Sequence, residues 1–297
     1  MNFRNVLFYA VFFLTIKFNG QEKIIIVKTD SISLFETYIS LNSTENISPI
    51  IHNDGLIYAS KNKSQYYRLY FSDLKTAPQL LKIRDKTKVG TTAIFDNEIY
   101  FSKNTKTISV DSTYNLAIYK GNIENLNVSK VELLPFCKKG FSYEYPTLSK
   151  DGKRMAIVTN ENGVFHLVEL TRNNENEWVR SGIIFITQPN FNIINPTFYN
   201  ENTIYFSSNY FIGKIKGYKY SFVTGAMKIV KTYRENGVYN IYKIIRIDGK
   251  WQLPEKASFF NSDYDDLGVI FKTEKIGYIN TYRYDNTNNI YFFELKQ

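Results

Sequence analysis

The fold is decided by a stretch in the middle of the chain, Tyr145–Gly152 (YPTLSKDG), followed by Arg154–Val158 (RMAIV) and, after a polar gap, by Val164–Val168 (VFHLV). The two apolar runs are rich in Val, Ile and Phe, which are residues that favour strands. The Lys-Asp-Gly before the first run is typical of a tight turn. The stretch therefore predicts three consecutive strands joined by a turn and a short loop.

The same order of strand, turn, strand, polar gap and aromatic strand recurs five times after residue 40. The second strands of these repeats are Leu56–Ser60, Glu98–Ser102, Arg154–Val158, Thr203–Ser208 and Gly277–Asn280. Each repeat has room for a fourth strand, such as Trp178–Phe185. Four strands in about 45 residues are typical of a propeller blade, whose core is buried only when blades pack side by side. We therefore expect an all-β protein, a β-propeller of four-stranded blades, with five blades and six as the alternative.

The last repeat ends after its third strand, close to Gln297, so its blade lacks a strand. The N-terminal segment Ser33–Ile39 has a strand-like composition and is able to supply it. Such a pairing removes an exposed sheet edge, which is a site of unwanted association. We expect an N-terminal strand to close the ring. Pro49, Pro146 and Pro196 each stand at the predicted start of a first strand, where no backbone donor is needed.

The N-terminus is typical of a secretory signal. Arg4 precedes an apolar run, Val6–Ile16, and cleavage after Gly20 fits the polar residues that follow. The run is shorter than the ~20 residues of a membrane span. We expect residues 1–20 to be a signal peptide, with an uncleaved anchor as the alternative, and residues 21–297 to form a single β-propeller domain. The protein is then exported and does not span the membrane after cleavage.

Composition excludes several functional classes. A net charge of +9 results from 37 Lys and Arg against 28 Asp and Glu. These residues form no long basic block, so we expect no nucleic-acid partner. The single cysteine, Cys137, is expected to be a buried or half-buried thiol, and His52 and His166 provide little material for a base or a metal site. We therefore expect no metal and no cofactor.

Three stretches resemble the repeats of known envelope proteins. Tyr145–Gly152 resembles the Pro-x-x-Ser-x-Asp-Gly motif of TolB-type, WD40-like β-propellers. Asp248–Pro254 (DGKWQLP) and Phe260–Asp266 (FNSDYDD) are similar to strands of the propellers in Bacteroidetes outer-membrane proteins of the OmpA family. The resemblance is strong over residues 141–297 and weaker over 48–140. It implies an association with outer-membrane machinery, such as secretion or gliding complexes.

The chain departs from that family in two places. It ends at Gln297, directly after the propeller, so we expect it to lack the peptidoglycan-binding OmpA-type domain. The paired aspartates of the family's last strand are Asn288 and Asn289 here, which puts in doubt any role that needs those carboxylates.

Asp263, Asp265 and Asp266 form the densest acidic cluster of the sequence. Carboxylate oxygens suit Ca²⁺, but the spacing of an EF-hand loop is absent. Asn and Asp side chains also bond their own backbone in turns, and we favour this role.

An insertion at about 210–236 interrupts the fourth repeat. It alternates aromatic or aliphatic residues with lysines and predicts a basic, aromatic β-hairpin with a turn at Thr224-Gly225. Extra strands of blade four, or part of a sixth blade, are the alternatives. Its candidate residues for contacting an acidic protein or glycan partner are Phe211, Lys214, Lys216, Tyr218, Lys219 and Tyr220.

The sequence thus predicts a non-catalytic binding or scaffold propeller, located in the periplasm or at the outer membrane. Its expected partner is an outer-membrane or secreted envelope protein, with a glycan as a further option. The alternative is a periplasmic or surface carbohydrate-active hydrolase. Glycosidases need a pair of carboxylates about 5–9.5 Å apart. Converging carboxylates at the central pocket would favour the hydrolase, and a pocket that lacks them favours the binding protein.

Overall fold

A computed structural model describes residues 17–18, 21–22, 25–41, 44–61, 66–83, 89–108, 114–189, 191–209, 215–223, 226–234, 238–284 and 287–296. Most of the predicted signal segment lies outside these ranges. The described chain is built from strands, with one short 3-10 helix at Ser258–Phe260. None of its helices is long and apolar enough to cross a membrane.

The strands form five sheets, one for each predicted repeat, and two small hairpins. The N-terminal strands are β1 (Lys17–Phe18), β2 (Gln21–Glu22), β3 (Ile25–Lys28) and β4 (Ile32–Phe35). Blade one contains β5 (Asn46–His52), β6 (Gly55–Ser60), β7 (Arg68–Ser72) and β8 (Gln79–Leu80). Blade two contains β9 (Lys82–Ile83), β10 (Val89–Phe95), β11 (Glu98–Ile108), β12 (Tyr114–Glu124) and β13 (Asn127–Leu133).

The remaining blades follow the same plan. Blade three contains β14 (Tyr143–Leu148), β15 (Arg154–Thr159), β16 (His166–Arg172) and β17 (Trp178–Ile186). Blade four begins with β18 (Ile193–Asn200) and β19 (Thr203–Ser208), which are followed by a separate hairpin of β20 (Ile215–Val223) and β21 (Ala226–Arg234). Blade four then continues with β22 (Asn240–Ile247), β23 (Lys250–Trp251) and β24 (Glu255–Lys256), and blade five contains β25 (Asp266–Phe271), β26 (Ile276–Thr281) and β27 (Asn289–Leu295).

The blades are arranged in a ring. The first strands β5, β10, β14, β18 and β25 contact one another in this order, and β25 contacts β5 again. They therefore surround a central channel. The chain is a five-bladed β-propeller, as the repeats predicted, and the six-bladed alternative is wrong.

The hydrophobic cores lie between the blades. The described residues form five buried clusters, and each joins two neighbouring sheets. Between blades three and four, for example, Val158 and Leu167 pack with Ile204 and Phe206. The Ile, Val, Tyr and Phe residues that predicted the strands are thus the residues that join one blade to the next.

An N-terminal strand completes blade five, as expected. β4 pairs with β27 in antiparallel register, with Phe35 opposite Phe292 and Ile32 opposite Leu295. The predicted segment began at Ser33, and the strand extends from Ile32 to Phe35. β3 then pairs with the outer side of β4, which gives blade five a fifth strand.

Buried asparagines reinforce this junction between blades five and one. Asn280 Nδ2 donates to Asn288 Oδ1 at 2.6 Å and to the Asn46 carbonyl at 3.0 Å, and Asn46 Nδ2 donates to Asn289 Oδ1 at 3.0 Å. All four asparagines are almost fully buried. Neutral amides satisfy one another here, whereas two adjacent buried carboxylates would need cations that the network does not contain. This accounts for neutral asparagines, and not aspartates, at positions 288 and 289.

Each first strand carries a β-bulge in its first half. Pro49, Pro146 and Pro196 lie at these bulges, three residues inside their strands, and not at strand starts as expected. The physical reason is the same: a bulged residue has no ladder partner, so the missing N–H of proline is harmless there.

Two similar Arg–Trp pairs, each in contact with a glutamate of the preceding blade, connect blade three to blade two and blade four to blade three. The Arg172 guanidinium lies 4.8 Å from the Trp178 ring and pairs with Glu98 of blade two. The Arg246 guanidinium likewise lies 5.9 Å from the Trp251 ring, whose Nε1 donates to Glu169 of blade three at 3.3 Å. Charged pairs on aromatic rings thus tie neighbouring sheets together at their edges.

The ion pair between Glu98 and Arg172 predicts that the fold loses stability in acid. Burial raises the pKa of Glu98, but hydrogen bonds from Lys120, Tyr100 and Arg172 outweigh it and lower the pKa to about 2. Because the folded-state value is depressed, the stabilisation is present above the ordinary value of 4.5 and is lost as the pH falls towards 2. We expect Glu98→Gln to lower the free energy of unfolding at pH 7 by about 1–3 kcal/mol, measured by urea denaturation.

The difference between Glu98→Gln and the parent protein should shrink steadily between pH 4.5 and the acid limit of the native state. Glu132→Gln, on an exposed edge of the same blade, is the matched control and should follow the parent protein. A constant difference across this range would contradict the assignment.

Candidate functional site

The central channel contains a cavity of about 330 Å³ lined by the first strands of all five blades. Its lining is dominated by hydroxyl, amide, proline and aliphatic groups. Lys150 is the single charged residue among the described residues that line it, and none of them is Asp, Glu or His. The cavity lies towards the C-terminal ends of the first strands.

The bulged residues close the inner end of this cavity. Ser48 Oγ donates to Asn195 Oδ1 at 2.7 Å, which links blade one to blade four. Asn195 Nδ2 donates to the Leu267 carbonyl at 2.6 Å, and the Tyr145 N–H donates to Thr91 Oγ1 at 3.0 Å. A belt of hydrogen bonds between blades therefore crosses the channel at the level of the bulges.

Three residues of this belt have strained backbones. Ser48, Tyr145 and Asn195 have φ values of 52°, 54° and 48°, in the left-handed region, and each precedes a proline. Non-glycine residues rarely adopt this region, and such strain persists only where the surroundings impose it. The contacts of these residues with other blades supply that constraint, which fixes their side chains at the channel axis.

Four tyrosines meet at the other end of the channel, and we call Tyr67, Tyr145, Tyr239 and Tyr282 the tyrosine collar. Tyr67 and Tyr239 immediately precede third strands, and Tyr282 immediately follows a second strand. In antiparallel blades these positions lie beside the start of the first strand, so all four occupy one end of the ring. Burial raises the pKa of each, and repulsion between the ionised forms adds to it: Tyr67 and Tyr239 raise the pKa of Tyr145, and Tyr282 raises that of Tyr67.

Three carboxyl groups accompany the collar, and they differ in their partners. Glu45 forms an ion pair with Lys61 and accepts a hydrogen bond from Tyr67 Oη at 2.8 Å, and these contacts lower its pKa. Asp265 accepts a hydrogen bond from the Tyr239 N–H at 2.6 Å, yet burial raises its pKa.

The carboxyl group of Glu144, next to Tyr145 on β14, has neither a hydrogen bond nor an ion pair among the described residues. Glu144 is half-buried. Burial alone raises the pKa of Glu144 to about 7, with no contribution from another carboxylate. A desolvated carboxyl without a partner is costly, and such groups occur preferentially at functional sites.

Sequence reasoning did not identify the collar. Its members are distributed over blades one, three, four and five, and they become neighbours only when the ring closes. The sequence feature that could have identified these tyrosines is their position, beside the end of a second strand or the start of a third strand. Tyr67, Tyr239 and Tyr282 carry this signal, whereas Tyr145 and Glu144 lie inside a first strand.

The insertion forms an antiparallel hairpin that is not hydrogen-bonded to blade four in the described residues. Of its six candidate residues, Lys216, Tyr218, Lys219 and Tyr220 lie on β20. Phe211 and Lys214 lie outside the described residues. Because it leaves β19 and returns to β22, the hairpin belongs to the same end of the ring as the collar.

The register of the hairpin separates two kinds of residue. One set of cross-strand pairs is aromatic or aliphatic: Tyr220 lies opposite Ile229, and Phe222 lies opposite Met227. The alternate positions carry lysines, with Lys219 opposite Lys231 and Lys228 opposite Ser221. Cross-strand partners share a face of a hairpin. Tyr220 is 52% exposed and Met227 63% exposed, so the apolar set is open to solvent at these two positions.

The acidic cluster at 263–266 stabilises turns, as favoured from the sequence. Asp266 is fully buried, and its carboxylate accepts hydrogen bonds from Ser262 N–H, Thr281 Oγ1 and Arg283 Nε at 2.6, 2.7 and 2.9 Å. These contacts join the connection between blades four and five to β26. The carboxylate oxygens of Asp266 are therefore used by the fold itself.

Cys137 and the two histidines also have structural surroundings. Burial raises the pKa of the Cys137 thiol to about 12, and the Ile118 N–H contacts its sulfur at 3.4 Å. His166 is fully buried; its Nδ1 lies 3.0 Å from the Val164 carbonyl and its Nε2 lies 3.1 Å from Arg180, so the ring is a neutral acceptor of the Arg180 N–H. His52 packs edge-on against Phe71 beside a turn.

Comparison with known proteins places the fold within a broad structural group. No family model matches the chain, and no curated protein matches it. Among solved structures, the aldose sugar dehydrogenase of Streptomyces coelicolor, in its PQQ-bound form, matches with a TM-score of 0.50 and 11% identity, over 90% of this chain and 98% of that one. This likeness concerns the fold alone.

Two other solved structures are similar at lower scores. TolB of Acinetobacter baumannii matches with a TM-score of 0.47 and 12% identity, over 86% of this chain and 55% of that one. A thermostable family-43 glycoside hydrolase matches with a TM-score of 0.49 and 9% identity, over 85% of this chain and 88% of that one. The chain spans about half of the length of the Acinetobacter baumannii TolB.

Glu144 should destabilise the fold at alkaline pH. Because its folded-state pKa is raised from 4.5 to about 7, the native protein holds a proton that the unfolded chain has released between these values. Stability therefore falls as the pH rises from 4.5 to 7. We expect Glu144→Gln to be more stable than the parent protein at pH 8, by up to about 3 kcal/mol, and equally stable at pH 4.5.

Urea denaturation at the two pH values measures this difference. Glu124→Gln, at an exposed strand end, is the control and should match the parent protein at both. A Glu144→Gln protein that is less stable than the parent at pH 8 would show that the carboxylate is satisfied.

Proposed function

We propose that this protein is an exported, non-catalytic binding propeller of the bacterial cell envelope, which recognises an outer-membrane or secreted protein. The observation that carries this proposal is the hairpin β20–β21, which pairs only with itself in the described residues and exposes Tyr220 and Met227. Exposed aromatic and methionine side chains are enriched in protein interfaces. A rigid ring that supports such a hairpin is a suitable scaffold for recognition.

The charges of the hairpin favour an acidic partner. Lys219 lies directly opposite Lys231, and like charges at opposed positions destabilise a hairpin. A negatively charged surface would relieve this repulsion. The partner we infer therefore offers acidic groups beside an apolar patch.

The central cavity supports a binding role over catalysis. Acid–base chemistry most often uses a carboxylate or imidazole near the substrate, and the described lining of the cavity contains neither. Its polar groups are hydroxyls, amides and the Lys150 ammonium, which are able to hold a ligand by hydrogen bonds. The envelope location rests on the sequence: the signal-like residues 1–20 and the resemblance to TolB-type repeats.

In-cell photo-crosslinking tests the proposal directly. A photoreactive residue at Tyr220 should capture one defined envelope protein. The same residue at Leu253, which is 83% exposed on blade four, should capture none. The double variant Lys216→Glu/Lys219→Glu should reduce the Tyr220 crosslink at least tenfold, because it reverses two charges on the strand that carries Tyr220 and so repels an acidic partner.

A charge-matched control separates this effect from a change in net charge. Lys272→Glu/Lys275→Glu alters two exposed lysines of blade five, between β25 and β26 at the end of the ring opposite to the hairpin. This variant should leave the crosslink unchanged. The proposal fails if position 220 yields the same products as position 253, or if both double variants behave alike.

A carbohydrate-active hydrolase is the second candidate, and one observation favours it. The raised pKa of Glu144, about 7, is the property expected of a general acid at neutral pH. The second carboxylate that the mechanism requires is not evident: Glu45 is engaged by Lys61 and Tyr67, and no carboxylate contributes to the pKa of Glu144.

Incubation with a panel of bacterial and host polysaccharides, with reducing ends measured, decides between the two. We expect no product above that of a heat-denatured control. Product that Glu144→Gln abolishes and Glu124→Gln retains would replace the binding proposal with the hydrolase.

A further inference from the structure

The central cavity contains polar groups that the fold itself does not use. The belt closes its inner end, so it opens only at the C-terminal ends of the first strands, at the end of the ring opposite to the hairpin. Its volume of about 330 Å³ lies near the lower limit of small-molecule sites, which is about 300 Å³. The cavity therefore suits a compact ligand and not a protein surface.

Three neighbouring blades each place a threonine at the same level of the cavity wall. Thr92, Thr147 and Thr197 are each the first residue of the first strand that pairs with the second strand after the β-bulge. Blades one and five have Ile50 and Gly268 at this position. All five residues line the cavity. The three hydroxyls therefore lie on one side of the ring.

These threonine hydroxyls have no hydrogen-bond partner among the described residues. Thr92 is 3% exposed, and its Oγ1 is buried without a partner. Thr147 and Thr197 are half-buried. By contrast, the hydroxyl of Ser149, which also lines the cavity, donates to Asp151 Oδ1 at 2.6 Å. An unsatisfied buried hydroxyl is costly, so the threonines indicate a partner from outside the chain.

The cavity wall also contains backbone groups of both kinds. Each first strand is the edge strand of its sheet and pairs on one side only, with its second strand. The unpaired edge of a strand presents a row of N–H and C=O groups. Hydroxyl groups likewise both donate and accept hydrogen bonds. The wall therefore offers donors and acceptors together.

The charge of the wall is low. The described lining contains no Asp, Glu or His, and Lys150 is exposed at the open end. A carboxylate only accepts hydrogen bonds and an ammonium group only donates them, so either ion would leave wall groups unpaired and lose its own hydration. A neutral ligand that both donates and accepts fits this wall better than an ion.

Hydroxyl-rich rings fit the cavity better than peptides do. A peptide pairs along a single strand edge, whereas the unused hydroxyls lie on three different blades around a cavity that is closed at one end. A sugar ring directs hydroxyl groups to several sides and has apolar C–H faces. Pro146, Pro196 and Leu148 supply apolar contacts in the same cavity.

We propose that the central cavity binds one neutral saccharide ring, whose hydroxyl groups form hydrogen bonds with Thr147 and Thr197. Thr92 completes this set on blade two. The ring belongs either to a free monosaccharide or to the terminal unit of a glycan. This site goes beyond the proposed recognition of a protein by the hairpin, and neither site depends on the other.

Saturation-transfer NMR with the full chain tests the site. The neutral probes are D-glucose, D-galactose, D-mannose, D-xylose and N-acetyl-D-glucosamine. D-Glucuronate is the anionic probe, and capped trialanine is the peptide probe. We expect at least one neutral sugar to bind saturably, with a Kd of about 1 mM, and to bind more tightly than the other two probes.

Variants connect the binding to the cavity. Thr147→Val/Thr197→Val keeps the shape and strand preference of both residues and should weaken sugar binding about tenfold, because two hydrogen bonds are lost. Thr171→Val is the matched control: Thr171 is half-buried on β16, outside the cavity, and its substitution should leave the affinity unchanged. Lys150→Gln should also leave it unchanged, since the ligand is neutral.

Thermal unfolding of each variant shows whether it is folded. If the double variant does not fold, the single variants Thr147→Val and Thr197→Val take its place, and each should weaken binding about threefold.

The two sources of the ring give different results. The methyl glycoside of the sugar that binds, and a disaccharide with this sugar at its non-reducing end, bind at least as tightly as the free sugar if the ligand is a glycan end. Both bind at least tenfold more weakly if the ligand is a free monosaccharide.

Three outcomes overturn the proposal: no neutral sugar binds, the threonine variants bind as tightly as Thr171→Val, or only glucuronate or only the peptide binds. The hairpin crosslink involves no residue of the cavity. Failure at the cavity therefore leaves the proposed binding function standing, and failure at the hairpin leaves the saccharide site standing.

Discussion

Every hydrophobic core of the described chain lies between two blades, and this constraint governs the rest of the structure. A single four-stranded sheet of this protein has two apolar faces and no helix to cover them. It buries those faces only by contact with its neighbours, so the ring must close for any blade to be stable. The pairing of β4 with β27 completes blade five and so closes the ring. The buried asparagines and the Arg–Trp pairs connect one blade to the next.

The sequence predicted the features that depend on local patterning. Alternating aromatic and β-branched residues with Asp-Gly or Asn turns, as in Tyr145–Val158, identified the main strands of each repeat and the number of blades. The missing strand of the last repeat indicated the closure by Ile32–Phe35. Both inferences succeed because strand propensity and turn chemistry are properties of neighbouring residues.

Features set by the ring itself could not be predicted. The left-handed backbone of Ser48, Tyr145 and Asn195 results from packing around the channel, so the adjacent prolines were assigned to strand starts. The collar unites residues whose order in the sequence gives no sign of their proximity. The independence of the hairpin from blade four is likewise a property of the assembled sheets, although its strands and turn were evident from the alternation of lysines and aromatics.

The closing pair of strands also determines when the native state is formed. Thr37 Oγ1 donates to the carbonyl of Ile290 across 253 positions of the chain, so this contact closes one of the longest loops in the described fold and carries a large loop-closure entropy. Until β27 has been synthesised, β4 is paired only with β3, and two of the five cores stay open. During synthesis the chain thus remains without its final sheet, and completion of the ring closes the last two cores together in a late step.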